Sequence, residues 1–573
     1  MKSSRYIFVL VLCSLFLIPS KAAEQKPLEK QKWGHVCSGK MPEEWYASEK
    51  AQQIAEVVMA IQKVNGGWYK NTQMHKLTEE ELLDLMRKKR EHSCLDNYAT
   101  TQEMRYLARV RAISLQHSAI SDQDAERYRQ SFLRALEMIL TCQKGCGGWS
   151  QYWPLTGKGS YQDYITFNDD LMTNVMLILR DVYENQGIFR DLTDEATRER
   201  CRIAFDRGLD CIIRCQIDDE GVKSIWCAQH DTVAPYLPTE GRPHELPSFC
   251  CAESSALLEF LMSVENPSPE LQKCISDACA WLDTHKIENK TLEAYVNANG
   301  EDDRRIIDQP GNALWGRFVQ LGGKTAKKTQ KLFVKHLEAR NKTRKVVYKG
   351  KEYKYMEADN ARESYDPSKA YQPIFGIYKD SLQNLYYRYL YNYEDTPPII
   401  DWQGVPQRTS LMPTNRYKYQ FLGNWCWEVI YGEYPMWKEL VDGAAEAESK
   451  GWTQITVTKE MLSNSKGKEY SDARLGTIKM NPTTHTIAIP EGKQVVRVVV
   501  HGFSNSEQAS VMTIANDQLP ITNDQYLFPG KGFNPIYTTH VIDFTNDKLP
   551  ITNNLSLTWA DSQCCVVIRI YCK

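Results

Sequence analysis

The sequence shows no excess of charge of either sign. Its 573 residues include 70 Lys and Arg against 72 Asp and Glu, which gives a formal net charge of -2. A protein without a basic surface field has no long-range attraction for nucleic acid, so we expect no nucleic-acid partner. Hydrophobic residues make up 42% of the chain and charged residues 25%. These ordinary proportions exclude the disordered, collagen-like and low-complexity classes.

Two patterns that would indicate a zinc protein or a membrane protein are also missing. The 17 cysteines include no CxxC pair, so a zinc site has no support. Buried free thiols and a disulfide framework both stay open for these cysteines. Beyond the N-terminus no segment approaches eighteen consecutive apolar residues, so we expect no membrane span.

The N-terminus has the pattern of an export signal. Lys2 and Arg5 precede an apolar run over 6–18, and small residues follow it up to Ala23. The run is too short to cross a bilayer, and the order of these features is typical of a secretory signal peptide. We therefore predict a signal peptide over 1–23 and a protein that is exported to the periplasm or secreted.

A Gln-Gly-Trp motif recurs in the first half of the chain. QKVNGGW begins at Gln62, QKGCGGW at Gln143, and QIDDEG at Gln216 with Trp226 after it. Amphipathic helical patterns precede the motifs, whose glycines end the helix. A long-period repeat of helix, Gly-rich turn and helix indicates stacked helical hairpins, and hairpins stacked in a ring form an α/α toroid. Other toroid enzymes, including terpenoid cyclases, have similar repeats, so the motif alone predicts no reaction.

After about residue 445, apolar residues recur at every second position instead of at helical spacing. Short apolar runs punctuated by Asn, Asp, Gly and Pro indicate a β-sandwich. We predict a helical domain over 24–445 and a β-sandwich domain over 446–573, with the polar stretch Ala444 to Gly451 as candidate linker. The Lys- and Tyr-rich stretch 324–372 shows little core pattern and is interpreted as an insertion. The runs are QITVT at 454–458, TIAI at 486–489, VVRVVVHGF at 495–503, SLTW at 556–559 and CVVIRIY at 565–571.

Polar residues gather beside the predicted turns of the helical region. Carboxylates together with main-chain carbonyls suit a hard cation such as calcium, and the planar guanidinium of arginine suits a carboxylate ligand. Because turns at one end of a toroid face the same cleft, this pattern predicts a site for an acidic sugar. Asp96 and Asp169 could instead cap the helices that follow them. The residues expected to converge are Asp96, Asp169, Asp170, His230, Arg242 and Glu245.

The motifs NGGWYKN, DNYATTQE, GGWSQYWPL, FNDDLM, WCAQHD and GRPHELPS, in this order, resemble those of the family 10 pectate lyases. These are extracellular bacterial enzymes, and the resemblance covers roughly residues 45–430. It implies a mainly α protein with an (α/α)3 toroid as catalytic domain. It also implies cleavage of polygalacturonate by calcium-assisted β-elimination with an arginine as base, which gives 4,5-unsaturated oligogalacturonides. Ca²⁺ is then the cofactor, an acidic polysaccharide the substrate, and a monomer the expected state.

The resemblance assigns roles to individual residues. Arg242 matches the base arginine, and Asp169 matches an aspartate that binds calcium or the substrate. We expect Asp169 and its neighbour Asp170 to bind the calcium. The sequence departs from the family pattern at Gly241, where alanine is expected, and at PIFGIYKD, where either Tyr378 or Lys379 replaces an arginine. The residues expected to bind substrate are Asp96, His230, Arg317, Lys379 and Arg416.

Several alternatives stay open. His230 could be a hydrogen-bonding spacer instead of a ligand-binding group. An inverting glycoside hydrolase on a similar toroid could use a carboxylate pair such as Glu103 and Glu253. A non-catalytic glycan-binding protein is the alternative from another class. It would not require the combination of Arg242 and Asp169, and that combination favours a lyase.

Overall fold

The structure is a computed structural model. The predicted signal peptide over 1–23 lies outside the residues that it describes, and so does Arg416. The described residues are 27–157, 159–242, 245–296, 302–340, 343–348, 351–356, 367–374, 377–379, 387–389, 421–458, 461–462, 478–480, 482–504, 506, 508–516, 525–529, 538–544, 551, 553–560, 562 and 564–573.

Helices dominate the chain up to Ser449. In chain order they are α1 (Trp33–Cys37), α2 (Glu49–Ala60), α3 (Glu79–Arg87), α4 (Thr101–Gln116), α5 (Asp122–Thr141), α6 (Leu171–Tyr183), α7 (Glu195–Cys215), α8 (Cys251–Met262), α9 (Pro269–Thr284), α10 (Gly323–Arg340) and α11 (Tyr434–Ser449). Helices α2, α5, α7 and α9 contact one another in this order, and α4, α6 and α8 form a second such series. Two series of neighbouring helices support the predicted toroid.

Short antiparallel strands connect the helices. They are β1 (Ser93–Cys94), β2 (Tyr152–Trp153), β3 (Ile165–Thr166), β4 (Asp218–Asp219), β5 (Val222–Lys223), β6 (Gln229–His230), β7 (Phe249–Cys250), β8 (Ile287–Val296), β9 (Asp302–Gly316), β10 (Phe318–Val319), β11 (Thr343–Tyr348), β12 (Lys351–Met356), β13 (Pro373–Ile374), β14 (Ile377–Lys379), β15 (Tyr387–Tyr389) and β16 (Leu422–Gly423). The longest pair, β8 and β9, forms a hairpin whose second strand also pairs with β16. None of the helices that the structure describes is long and apolar enough to cross a bilayer.

The three glutamines of the repeat make equivalent contacts. The side-chain Nε2 of Gln62 donates to the carbonyl oxygens of Gly66, in its own turn, and of Ser131 in α5, at 2.7 and 2.8 Å. Gln143 and Gln216 likewise donate to their own turns and to α7 and α9. Each glutamine therefore ties one Gly-rich turn to the helix of the next hairpin, which explains why the residue recurs.

The β region begins after α11. Its strands form two antiparallel sheets, of which the first has the order β17-β25-β20-β23 with β18 also on β25, and the second has the order β19-β24-β21-β22. Val498 and Ile568 of the first sheet share one apolar core with Ile514 and Leu557 of the second. This arrangement supports the predicted β-sandwich. The strands are β17 (Thr453–Thr456), β18 (Ile478–Met480), β19 (Thr484–Ala488), β20 (Val495–Ser504), β21 (Ser510–Asn516), β22 (Tyr526–Phe528), β23 (Thr538–Asp543), β24 (Asn554–Trp559) and β25 (Cys564–Cys572).

The polar stretch interpreted as a linker is largely helical. Helix α11 continues to Ser449, past the predicted boundary after residue 445. Its Met436 and Leu440 pack against Val567 of β25, and Ala447 packs beside β20 and β25. The helix therefore covers the outer face of the first sheet, so β20 and β25 are buried on both faces. Such strands are apolar along their whole length.

The stretch 324–372 also contains more structure than its sequence predicts. Its first part belongs to the 18-residue helix α10. Phe333 and Leu337 of this helix pack against Leu246, four residues after Arg242. The helix therefore supports the segment that carries the predicted base.

The cysteines form no disulfide among the described residues. All sixteen, from Cys37 to Cys572, are buried thiols. Of the two possibilities that the sequence leaves open, the structure has the free thiols, and they belong to the apolar cores.

Candidate active site

The segments that enter α4, α6 and α8 have the same register relative to the repeat. Each begins with a residue whose backbone N–H donates to the carbonyl oxygen of a repeat tryptophan: Cys94 to Trp68 at 3.0 Å, Thr166 to Trp149 at 3.0 Å and Cys250 to Trp226 at 2.8 Å. Asp96, Asp169 and Glu253 follow these anchor residues by two or three positions. The fold therefore places three carboxylates at equivalent positions near the N-terminal ends of three neighbouring helices.

Asp96 does not cap helix α4. The backbone N–H of Thr100 donates to Oε2 of Glu103 at 2.7 Å, so Glu103 performs the capping. Glu103 is fully buried and also accepts from the indole nitrogen of Trp33 at 2.7 Å. Asp96 Oδ2 instead accepts from Nζ of Lys70 at 2.9 Å. Glu103 therefore has a structural role. This argues against the hydrolase alternative, which needs Glu103 as one of its two catalytic carboxylates.

Asp169 and Asp170 stand in strained backbone just before α6. Their φ angles are 52° and 56°, in the left-handed region, and Asp170 makes no capping hydrogen bond although it precedes the helix. The hydroxyl of Tyr98, itself at φ 62°, donates to Asp170 Oδ2 at 3.0 Å. Strain of this kind costs about 1–3 kcal/mol per residue and concentrates at functional sites. Helix capping therefore does not explain these two carboxylates.

The electrostatics of Asp169 show which side chains the site brings together. Burial, reinforced by the negative charge of Asp96, raises the pKa of Asp169 to about 6. The nearby charges of Arg242 and Arg317 act in the opposite direction, and Glu253 adds to the increase. These effects require all five side chains to lie close together. The predicted residues Asp96, Asp169, Arg242 and Arg317 therefore belong to one site.

Arg242 is held by the carboxylate of Glu245. Its Nε donates to Glu245 Oε1 at 2.6 Å, and its Nη2 donates to the same oxygen. The backbone N–H of Arg242 donates to Glu245 Oε2 at 2.8 Å. At Gly241, the departure from the family pattern, an added Cβ would lie 2.6 Å from Glu245 Oε2.

Arg317 has a similar partner. Its Nε donates to Glu253 Oε1 at 3.0 Å, and its Nη2 donates to that oxygen as well. The site thus repeats one arrangement three times, with a partly exposed cation on a buried carboxylate. The side-chain exposures are 31% and 5% for Lys70 and Asp96, 27% and 2% for Arg242 and Glu245, and 19% and 4% for Arg317 and Glu253. The solvent-facing side of the site is therefore cationic.

His230 is fully buried and faces its own loop. Its Nε2 accepts from the backbone N–H of Cys227 at 2.9 Å, and its Nδ1 bonds to the carbonyl oxygen of Tyr236 at 2.7 Å. Burial lowers the pKa of His230 to about 4, so the ring is neutral. The geometry supports the spacer that the sequence left open as the alternative to substrate binding. Lys379 lies in β14, its side chain outside the described residues.

Sequence reasoning missed Lys70 and Tyr161 and read Glu253 only as a possible hydrolase acid. Lys70 lies in the motif NGGWYKN, which contributes to the family resemblance without giving Lys70 a role. Tyr161 is half-buried, and burial and the charge of Glu245 raise its pKa while Arg242 lowers it, so it borders the same site. Glu253 joins the set only through the hydrogen bond between Cys250 and Trp226, which the sequence does not show.

The donor atoms suit a hard cation. Three buried oxygens accept no hydrogen bond from the part of the chain that the structure describes: Oδ1 of Asp96, Oδ1 of Asn168 and Oε2 of Glu253. Calcium is bound by carboxylate and amide oxygens of this kind. Among the described residues no group of three or more His, Cys, Asp or Glu already forms a metal cage. The residues fit calcium by chemistry, without a preformed all-protein cage.

Comparison with known families decides the class of this site. A family model described as pectic acid lyase matches residues 62–349, just over half of the chain. The chain belongs to the pectic acid lyase family. This membership makes it a polysaccharide lyase and confirms the resemblance that its motifs indicate. The matched span contains every described residue of the site.

The lyase is also similar to solved structures. A family 10 polysaccharide lyase from Cellvibrio cellulosa is 26% identical, over 50% of this chain and 80% of that chain, with a TM-score of 0.40. A mutant of a family 10 polysaccharide lyase from the same organism, in complex with trigalacturonic acid, is 26% identical over 51% of this chain and 83% of that chain, with a TM-score of 0.39. No curated protein matches the chain.

Proposed function

We propose that this lyase cleaves α-1,4-linked polygalacturonate by calcium-assisted β-elimination with Arg242 as the base. The observation that carries the proposal is the set of three partly exposed cations, Lys70, Arg242 and Arg317, above buried carboxylates. A neutral sugar gains little from such a surface, whereas a chain with one carboxylate per sugar ring has partners for Lys70 and Arg317. The products are 4,5-unsaturated oligogalacturonides.

The proposed chemistry assigns a step to each arginine. Arg317 binds a galacturonate carboxylate through its guanidinium and fixes the sugar ring. Arg242 in its deprotonated form accepts the proton at C5, which is α to that carboxylate, and becomes a guanidinium. The C5–H electron pair forms the C4=C5 double bond while the C4–O4 bond breaks, and O4 leaves with its electrons and takes up a proton from water. Because arginine is protonated at neutral pH and its pKa lies far into the alkaline range, we expect the rate to rise toward alkaline pH.

The same proposal assigns the cation to the strained turn. Asp169 and Asp170 are the proposed calcium ligands, and the unpartnered oxygens of Asp96 and Asn168 lie in the same site. A bound calcium ion would neutralise the substrate carboxylate and so make the C5 proton more acidic. The raised pKa of Asp169 supports this assignment, because a buried carboxylate with carboxylate neighbours gains most from a cation.

The test follows the products. Purified protein is incubated with polygalacturonate, first with calcium and then with a chelator, while the ultraviolet absorbance of the conjugated product is recorded across pH. We expect absorbance to grow only with calcium, and faster at alkaline pH. New reducing ends without absorbance would indicate a hydrolase, neither signal would indicate a binding protein, and an optimum near pH 5 would contradict Arg242 as base.

The proposal extends to the rest of the chain. We propose export through a signal peptide over 1–23, an (α/α)3 toroid over 24–445 as catalytic domain, and a β-sandwich over 446–573 as accessory domain, in a monomer. Membership of the lyase family supports export, because its polymeric substrate lies outside the cell. The ordered contacts between α2, α5, α7 and α9 support the toroid, and the core shared by two sheets supports the sandwich.

A further inference from the structure

The turn that carries Arg242 closes on itself through Glu245. The backbone N–H of Gly241 donates to the carbonyl oxygen of Glu245 at 2.8 Å, and the N–H of Glu245 donates to that of Arg242 at 2.7 Å. The Glu245 side chain is only 2% exposed. Its carboxylate is therefore fixed beneath the guanidinium, because burying an ionised carboxylate requires such partners.

One carboxylate holds both the side chain and the backbone of Arg242. Oε1 of Glu245 accepts from Nε and from Nη2, and Oε2 accepts from the backbone N–H. Contacts at the Nε and Nη2 edge define the plane of the guanidinium, and the contact to the backbone fixes the start of the side chain. These contacts of Glu245 orient the guanidinium.

Gly241 provides the space for this arrangement. Its backbone does not adopt the left-handed conformation that favours glycine. An added Cβ would lie 2.6 Å from Glu245 Oε2 and 3.2 Å from the Glu245 Cβ. The nearest obstacle is the end of a flexible side chain, so an alanine here would displace the carboxylate and leave the rest of the turn in place.

We propose that Glu245 is the positioning residue of Arg242 and that in this chain Gly241 leaves the space in which the Glu245 carboxylate lies. The inference rests on the proposed function, in which Arg242 removes the C5 proton. Proton transfer needs the donor and acceptor atoms within about 3 Å in good alignment, and a misplacement of about 1 Å can cost roughly 100-fold in rate. Glu245 thus affects turnover and not the affinity for substrate.

The experiment compares three variants with wild type in kcat and KM on polygalacturonate. Glu245→Ala removes the carboxylate, and we expect kcat to fall about 100-fold with little change in KM. Glu245→Gln keeps the shape but only one of the two acceptor oxygens, so it can accept from Nε and Nη2 and not also from the backbone N–H of Arg242. Its kcat should therefore lie between those of Glu245→Ala and wild type. Gly241→Ala displaces the carboxylate without removing it, and kcat should again fall with KM unchanged.

Gly145→Ala is the matched control, since this exposed glycine has nothing within 4 Å of an added Cβ. Its kinetics should equal those of wild type. If Glu245→Ala or Gly241→Ala keeps the wild-type kcat, or changes only KM, Glu245 does not position Arg242. Either result would leave the proposed function intact. If Glu245→Ala does not fold, Gly241→Ala alone decides. If the wild-type protein forms no unsaturated product in the presence of calcium, both the proposed function and this inference are wrong.

Discussion

At the scale of single residues, the site has buried carboxylates beneath partly exposed cationic side chains. Asp96, Glu245 and Glu253 are buried and each has a cation as partner. Asp169 forms no ion pair within the part of the chain that the structure describes, and its pKa is raised to about 6. A folded protein pays in stability for such a carboxylate, so a functional reason is expected at this position.

Arg242→Lys tests the proposed base directly. Lysine keeps the positive charge but lacks the planar group that spans both contacts to Glu245, so its nitrogen does not occupy the place of the guanidinium. We expect kcat to fall at least about 100-fold, the typical contribution of a general base, with little loss in calorimetric binding of trigalacturonate. The control is Arg305→Lys, at an exposed ion pair on the β8–β9 hairpin, which should behave as wild type. Turnover within a factor of a few of wild type would place the base elsewhere.

Asp169→Asn should stabilise the protein while it abolishes activity. The folded-state pKa of Asp169 lies at about 6, above its usual 3.8, so the folded state binds more protons between these values. The free energy of unfolding therefore falls as pH rises through this range, and the loss is complete at neutral pH. In chelator we expect the variant to exceed wild type by about 1–2 kcal/mol at pH 7 and to equal it below about pH 4.

Denaturant unfolding at the two pH values measures this difference. Asparagine tolerates the left-handed backbone at this position, so the substitution introduces no new strain. Asp206→Asn, in an exposed ion pair on α7, is the control and should show little effect at either pH. Equal stability of Asp169→Asn and wild type at pH 7 would mean that the carboxylate is not destabilising in the free protein.

The motifs predict part of this site, and the reasons for the rest are physical. Asp96, Asp169, Arg242 and Arg317 were predicted because each lies in a recognisable motif, and their charges act on one another in the structure. Glu253 has no motif of its own, and only its register relative to Trp226 reveals it. His230 lies in a motif as well, but its burial and its two backbone partners cannot be read from the sequence.

At the scale of elements, the repeat turns show how a short motif specifies a joint between helices. Gly66 and Gly147 have φ angles of 105° and 97°, and an added Cβ at either would lie 2.2 Å from a backbone carbonyl oxygen, that of Arg134 in α5 or Arg207 in α7. Glycine is required at these positions for its conformation and for the close approach of the next helix.

Gly66→Ala should destabilise the helical region strongly. Both the left-handed backbone and the clash with a backbone atom oppose a side chain here, and neither can relax without moving α5. We expect the free energy of unfolding to fall by about 2–4 kcal/mol, measured by denaturant unfolding. Gly145→Ala, in the neighbouring repeat turn and without a contact to an added Cβ, is the control and should stay within about 0.5 kcal/mol. If Gly66→Ala has a similarly small effect, glycine is not required where the repeat turn meets α5.

Periodicity predicts some elements well and hides others. The amphipathic patterns before Gln62 and Gln143 correspond to α2 and α5. Helix α10 was not predicted from the sequence because frequent lysines obscure its narrow apolar stripe of Ala326, Phe333 and Leu337. Polar composition likewise suggested a linker where α11 ends, although a helix that packs on a sheet needs only one apolar face.

At the scale of the whole molecule, α11 lies between the helical core, to which its Trp437 belongs, and the outer face of the first sheet. Its first turns pack beside Val567, and its last turn carries Glu446, which pairs with Arg497 of β20 at 2.5 Å. Arg497 also pairs with Asp543 of β23 at 2.6 Å. The helical and β regions are therefore connected through a packed interface, and a long apolar strand such as β25 is explained by contacts on both of its faces.

Val567→Asp tests whether this interface holds the β region against the helical region. Val567 is 4% exposed between β25 and α11, and a buried carboxylate there would cost on the order of 3 kcal/mol. We expect a lower melting temperature and faster tryptic cleavage at Lys450, just after α11. Val541→Asp is the control, at a residue that is 42% exposed on β23, and should leave both unchanged.

The activity of Val567→Asp on trigalacturonate then decides what the β region contributes. If the catalytic machinery lies wholly within 24–445, kcat should equal that of wild type even when the interface opens, because every described site residue precedes α11. A loss of kcat in Val567→Asp, but not in Val541→Asp, would show that the geometry of the active site depends on the contact between α11 and the β region. The segment over 446–573 would then be a supporting part of the catalytic unit and not an accessory domain.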